Sequence, residues 1–99
     1  MIEKEYTPTK RSCRVTFTIP ADDQIEQAAV VGEFNDWDPV KGKMPKKIDS
    51  GNYALTISLK PGNSYRFRYL INDSEWSNDS EADGFVDNEY GTQDSVVSV

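Results

Sequence analysis

The two tryptophans of the chain both lie in polar segments of the sequence. Trp37 is flanked by Asn, Asp and Pro residues, and Trp76 lies between Glu75 and Ser77. Neither falls in an apolar run that could bury it, so we expect both indole rings to be exposed. A large exposed ring lowers solubility unless it binds a ligand. The tryptophans are therefore the first candidates for a binding site.

Polar side chains that could act beside these rings occur nearby in the sequence or on a predicted strand. A sugar has a flat apolar C–H face and a rim of hydroxyl groups, so it is bound well by an aromatic platform flanked by hydrogen-bonding groups. Such rim partners are supplied by Asn35, Asn78, Arg68 and Thr92. This combination favours carbohydrate binding, with a dissociation constant between about micromolar and millimolar for a few stacking contacts.

Residues that carry catalysis or bind metals are scarce. The chain has no histidine and a single cysteine, Cys13, which removes the usual proton shuttle and a cysteine-rich metal site. Residues 79–84 imitate the start of a calcium-binding loop, but the position that requires a bidentate glutamate is Tyr90. We therefore expect no catalytic residue, no metal and no other cofactor, and we do not expect an enzyme.

The charge of the chain limits the class of partner. Its 17 acidic and 11 basic residues give a formal net charge of -6 at pH 7. Binding to nucleic acid or to an anionic membrane surface requires the opposite sign. No apolar run is long enough to cross a bilayer or to act as a signal peptide. We expect a cytoplasmic protein that binds neither nucleic acid nor membranes.

Several segments have the pattern of β-strands. Three of them alternate between apolar and polar residues with the period of two that is typical of a half-buried strand. They are residues 12–19, 53–60 and 64–71. Two shorter runs, 28–32 and 95–99, are rich in small apolar or β-branched residues and predict further strands. In the third alternating segment, Arg68 points away from the apolar face and can reach a ligand on the sheet surface.

These strands predict the fold class. No segment keeps a 3.6-residue apolar period over three turns, so we expect an all-β protein. Strands with one solvated face need a second sheet to cover the other face, which predicts an immunoglobulin-like β-sandwich of antiparallel strands. With 99 residues the chain has room for one domain. We expect residues 11–99 to form it and residues 1–10 to form a flexible N-terminal arm.

Four parts of the sequence carry a resemblance to a known family. They are VVGEFNDW at residues 30–37, YRFRYLIN at 65–72, Trp76, and GTQDSVV at 91–97. The sequence thereby resembles the family-48 carbohydrate-binding modules, early-set β-sandwich domains of glycogen-branching and debranching enzymes and of the AMP-activated kinase beta subunit. The resemblance implies non-catalytic binding of α-1,4-linked glucans such as glycogen, starch and maltooligosaccharides. It also implies a glycogen-metabolising enzyme as partner.

The resemblance implies roles for three residues with large side chains. Trp37 and Trp76 match the two stacking platforms of the α-glucan site. Arg68 matches a lysine that contacts sugar in the glycogen-binding members. Arginine keeps the charge and the donors of lysine but changes the geometry of the contact.

Three further roles follow from the C-terminal part of the resemblance. Tyr90 matches the position at which the family has an apolar residue that packs against the glucan, and Thr92 matches a hydrogen-bonding threonine. Asp94 matches an asparagine that contacts hydroxyl groups. Aspartate lacks the donor of asparagine and adds a negative charge, which is a departure from the family pattern.

A second hypothesis assigns the same fold to protein binding. An edge strand or the acidic segment 79–89 can bind a partner chain. The protein would then be a scaffold or interaction domain associated with a glycogen-metabolising enzyme or a kinase complex. The net charge of -6 and the departure at Asp94 motivate this alternative.

Overall fold

The computed structural model describes all 99 residues and contains eight strands and one short 3-10 helix. The strands are β1 Ile2–Tyr6, β2 Cys13–Ile19, β3 Ala28–Gly32, β4 Tyr53–Leu59, β5 Ser64–Ile71, β6 Glu75–Ser77, β7 Gly84–Asp87 and β8 Gln93–Ser98. The 3-10 helix covers Glu33–Asn35. No helix in the structure has the length and apolar character needed to cross a lipid bilayer. The protein is all-β, which confirms the predicted class.

The strands form two antiparallel sheets. One sheet has the order β1-β2-β4, and the other has the order β3-β5-β8-β7 with β6 paired to β5. The inner faces meet in the core, where the Phe17 and Phe67 rings pack edge-on with centroids 5.1 Å apart. The side chain of Phe34 contacts both rings. Because each sheet buries its apolar face against the other, the alternation along β2 and β5 is explained by a two-layer sandwich.

The N-terminal residues differ from the expectation drawn from the sequence. Residues 1–10, predicted as a flexible arm, contain β1, which pairs with β2 along its whole length. Only Ile2 of this strand packs against the core, and its other residues are exposed. The strand therefore lacks the apolar alternation that would reveal it in the sequence. Its backbone pairing and an ion pair between Lys4 and Asp83 hold it in place.

The strand β5 lies at the centre of the larger sheet and changes its partner along one edge. That edge pairs with β8 over residues 64–67 and with β6 over residues 69–71. Arg68 lies at the junction between these two partners. Since Phe67 and Tyr69 point into the core, Arg68 points to the outer face of the sheet.

The segment that follows the 3-10 helix runs along the free edge of β3. The amide of Val30 donates to the carbonyl of Gly42 (2.9 Å), and the amide of Met44 donates to the carbonyl of Ala28 (2.8 Å). A Cβ atom on Gly42 would overlap the carbonyl oxygen of Val30, so only glycine allows this close approach. The segment begins with Trp37 and thereby ties that residue to the sheet.

Candidate functional site

A groove with a volume of about 1090 Å³ lies on the outer face of the five-stranded sheet. Six of the eight residues that the sequence indicated for a sugar site line it. They are Trp37, Arg68, Trp76, Tyr90, Thr92 and Asp94. These residues come from four parts of the chain, so the fold brings together side chains that are up to 57 positions apart in the sequence, counted from residue 37 to residue 94. Asn35 and Asn78 do not line the groove.

The two tryptophans are exposed in this groove. The side chain of Trp37 is 39% exposed and that of Trp76 is 48% exposed. Trp37 follows the 3-10 helix, and its amide donates to the carbonyl of Gly32 at 2.9 Å. Asp36 and Trp37 both have left-handed backbone conformations, with φ of 58° and 57°. This conformation costs an L-residue about 1 kcal/mol or more, so the turn holds Trp37 against an unfavourable local preference.

Asn35 builds the turn that presents Trp37. Its Oδ1 accepts a hydrogen bond from the amide of Gly32 (3.0 Å), and its Nδ2 donates to the carbonyl of Val30 (2.9 Å). Both polar atoms of the side chain are thus occupied by the backbone. The amide that the sequence indicated as a sugar contact therefore fixes the turn instead.

Trp76 is held by its position on β6 and by Arg68. It lies directly opposite Leu70 of β5 in the pairing register, and Leu70 is buried. The Cζ atom of Arg68 lies 5.4 Å from the centre of the indole ring, a cation–π contact. The Nε atom of Arg68 is buried without a hydrogen-bond partner, and no carboxylate forms an ion pair with its guanidinium. The two terminal nitrogens of the guanidinium also have no hydrogen-bond partner in the protein but are not buried, so they remain available as donors beside the ring.

The loop between β7 and β8 is organised by Asn88, a residue that the sequence analysis missed. Its Oδ1 accepts hydrogen bonds from the amides of Tyr90 (3.0 Å) and Thr92 (3.2 Å). Its Nδ2 donates to Oγ1 of Thr92 (2.8 Å) and to Oδ1 of Asp94 (3.1 Å). Gly91 adopts a left-handed φ of 77° in this turn. An asparagine three residues before a glycine is the turn signal that could have revealed it.

The tip of this loop carries the most exposed ring of the groove. Tyr90 is 80% exposed. Its amide is fixed by Asn88, while its ring stands free in the solvent. A phenol ring in this position can close over a ligand that lies against the tryptophans.

Four charged residues that the sequence did not indicate for a sugar site also line the groove. They are Glu33, Arg66, Asp87 and Glu89. The Oε1 atom of Glu33 accepts a hydrogen bond from the amide of Arg66 at 2.6 Å, which ties the 3-10 helix to β5. Their role in the groove is not visible in the sequence, because acidic and basic side chains are common on exposed strands and turns.

A buried polar network lies behind the groove and links the two sheets. Oδ2 of Asp79 accepts hydrogen bonds from the hydroxyl of Tyr69 (2.7 Å) and from the amino group of Met1 (2.7 Å). The amide of Asp79 donates to Oγ of Ser95 (3.1 Å), and that hydroxyl donates to Oδ1 of Asn78 (2.9 Å). Asn78, which the sequence indicated as a rim partner, therefore belongs to the scaffold.

The ionisation of this network is shifted by its surroundings. Burial acts to raise the pKa of Asp79, but hydrogen bonds from the Met1 amino group and the Tyr69 hydroxyl outweigh it, and the pKa is lowered. Burial likewise acts to raise the pKa of Asp83, but hydrogen bonds from Lys4 and from the amide of Ser98 outweigh it, and the pKa is lowered. Burial, followed by the neighbouring Asp79, raises the pKa of Tyr69 far above its ordinary value. Both aspartates are therefore anionic at neutral pH.

Comparison with known proteins gives a structural likeness. No protein-family model and no curated protein matches the chain. Among solved structures, the chain is similar to the ferric enterobactin esterase (fes) from Salmonella typhimurium, with a TM-score of 0.75 and 10% sequence identity. The likeness covers 98% of this chain and 33% of that chain, so the protein spans about a third of the esterase structure. At this level of identity the likeness shows the fold alone.

Proposed function

We propose that the protein is a non-catalytic binding module for α-1,4-linked glucans such as glycogen, starch and maltooligosaccharides. The observation that supports this most is the presence of two exposed tryptophans, Trp37 and Trp76, in one groove. Two flat rings in one groove suit a ligand that repeats an apolar ring face, and a chain of glucose units has such faces. The sequence resemblance to the family-48 modules, which includes both tryptophans, favours an α-glucan as the ligand.

The groove also offers hydrogen-bonding groups for the hydroxyl rims of the sugars. Arg68 supplies donors beside Trp76, and the exposed Thr92 supplies a hydroxyl group. Asp94 also lines the groove, but it is buried and its Oδ1 accepts a hydrogen bond from Asn88. Tyr90 adds a third ring at the mouth of the groove. Each stacked ring contributes roughly 1 kcal/mol beyond burial, so a few contacts give a dissociation constant between about micromolar and millimolar.

Affinity electrophoresis in gels that contain glycogen tests this proposal. We expect the wild-type protein to be retarded and the variants Trp37→Ala and Trp76→Ala to migrate faster in the same gel. Tyr6→Ala is the matched control because Tyr6 is an exposed aromatic residue on β1 of the other sheet. Wild-type migration that glycogen does not retard would contradict the proposal.

A second candidate function is protein binding at the free edge of the larger sheet. The outermost strand, β7, pairs with β8 alone, and Phe85 on this strand is 45% exposed. Such an edge can accept an extended segment of a partner protein. A pull-down in the presence of a soluble maltooligosaccharide separates the two functions, because a partner held at β7 would resist competition by the sugar.

A further inference from the structure

The groove contains an excess of negative charge that neutral sugars do not require. Its lining includes four carboxylates and two guanidinium groups, which leave a formal charge of -2. These residues are Glu33, Asp87, Glu89 and Asp94, with Arg66 and Arg68. None of the six takes part in an ion pair, so their charges are not cancelled by close contacts.

Most of the charges that a ligand meets first are acidic. Glu33, Asp87 and Glu89 are exposed. Arg66 is also exposed, whereas Arg68 is only partly exposed and has its guanidinium against the Trp76 ring. Asp94 is buried. An anionic ligand that enters the groove therefore meets three exposed carboxylates and one exposed guanidinium group. The electrostatic field at the mouth of the groove favours neutral ligands over anionic ones.

We infer that the groove selects uncharged stretches of α-glucan and that a phosphate ester on a bound sugar weakens binding. This inference rests on the proposed function and specifies its substrate class. A phosphate monoester carries a charge of about -1.5 to -2 at pH 7. Repulsion between that charge and the carboxylates weakens binding of the phosphorylated chain. The groove would then be specific because it rejects the wrong ligand.

Calorimetric titration with linear maltodextrins of one length, with and without a phosphate monoester, tests the inference. In low salt, near 10 mM, we expect the phosphorylated chain to bind about fivefold or more weakly than the unmodified chain. In salt of about 0.5 M the difference is expected to shrink because the charges are screened. Affinity for the unmodified chain should depend little on salt.

Glu89 allows the charge of the groove to be changed in steps. Its side chain forms no ion pair, so its replacement removes charge without removing such a contact. Glu89→Gln and Glu89→Lys are expected to reduce the ratio of the two affinities progressively. Glu5→Lys is the matched control, because it changes the net charge as much as Glu89→Lys does but lies on β1 of the other sheet. It is expected to leave the ratio unchanged.

The outcomes distinguish this inference from the proposed function. Equal or tighter binding of the phosphorylated chain in low salt would overturn the inference. It would mean that Arg66 and Arg68 bind the phosphate in spite of the carboxylates. An effect of Glu5→Lys as large as that of Glu89→Lys overturns it as well, since the net charge of -6 would then explain the repulsion. Failure of the unmodified chain to bind contradicts the proposed function itself, and the inference with it.

Discussion

At the scale of single residues, Trp37 combines an exposed ring with a backbone conformation that glycine adopts more easily. Trp37→Ala and Trp37→Gly both remove the ring, but only glycine relieves the left-handed φ of 57°. We expect the glycine variant to be more stable than the alanine variant by about 1 kcal/mol, with glycogen retention lost in both. Urea unfolding followed by circular dichroism measures the difference. A glycine variant that is less stable than the alanine variant would contradict backbone strain at this position.

Arg68 contacts the Trp76 ring with a flat guanidinium group, which lysine lacks. The two groups are 5.4 Å apart, and a cation–π contact contributes about 0.5 to 2 kcal/mol. Arg68→Lys keeps the charge but removes the flat group, so we expect glucan affinity to fall about two- to tenfold. Calorimetry measures the affinity, and Arg14→Lys on the other sheet is the control. Unchanged affinity in Arg68→Lys would show that charge alone is sufficient at this position.

At the scale of elements, the loop between β7 and β8 depends on one asparagine. Asn88→Ala removes hydrogen bonds to the backbone of Tyr90 and Thr92 and to the side chain of Asp94. We expect glucan affinity to fall about tenfold while the free energy of unfolding falls by only about 1 to 2 kcal/mol. Calorimetry and urea unfolding measure the two quantities on the same samples.

The matched control for this loop is a second asparagine in a turn. Asn63→Ala breaks hydrogen bonds to the carbonyls of Lys60 and Pro61 in the turn between β4 and β5, and Asn63 itself does not line the groove. It should lower stability and leave glucan affinity intact. A loss of affinity in Asn63→Ala that equals the loss in Asn88→Ala would mean that destabilisation, and not the shape of the β7–β8 loop, explains the effect.

The attachment of β1 to the rest of the sandwich makes stability sensitive to acid. Asp79 and Asp83 have pKa values below the ordinary value, so their ionised forms stabilise the folded state. This contribution is complete above the ordinary carboxyl pKa of about 4 and is lost as the pH falls through the lower folded-state values. We expect the free energy of unfolding to decrease on acidification in this window.

Urea unfolding between about pH 2 and 6 measures this dependence. Asp79→Asn should lower the free energy of unfolding at neutral pH by about 2 to 3 kcal/mol. The substitution removes a buried carboxylate that accepts hydrogen bonds from the charged amino group of Met1 and from the neutral hydroxyl of Tyr69. It should also flatten the acid dependence relative to the wild type. A variant with the wild-type slope would show that Asp79 titrates with its ordinary pKa in the folded protein.

At the scale of the whole molecule, the parts of the fold that the sequence predicts are those with a clear alternation. The strands β2, β4 and β5 bury every second side chain against the opposite sheet, and that periodicity is visible in the residues themselves. The run in β3 is buried on both faces, as its continuous apolar character indicates. The short strands β1, β6 and β7 carry exposed polar residues and are held by pairing, so their sequences do not reveal them.

The site is predictable to a similar degree and for related reasons. Large rings in polar segments stand out in a sequence, so Trp37, Trp76 and Tyr90 are identifiable before the fold is known. The roles of Asn35 and Asn88 are not, because the same residue type serves equally as a ligand contact or as a turn former. Only the hydrogen bonds of each side chain distinguish these uses, and they depend on the pairing register.

The proposed function requires both indole rings to contact one bound glucan, and nuclear magnetic resonance of the indole Nε1–H groups detects each contact separately. The chain has two tryptophans, so the spectrum contains one signal from Trp37 and one from Trp76. On titration with a linear maltooligosaccharide, we predict that both signals shift and saturate with the same dissociation constant, between about micromolar and millimolar. Signals that do not shift at millimolar sugar, or a shift confined to one tryptophan, would rule out a glucan that is held by both rings.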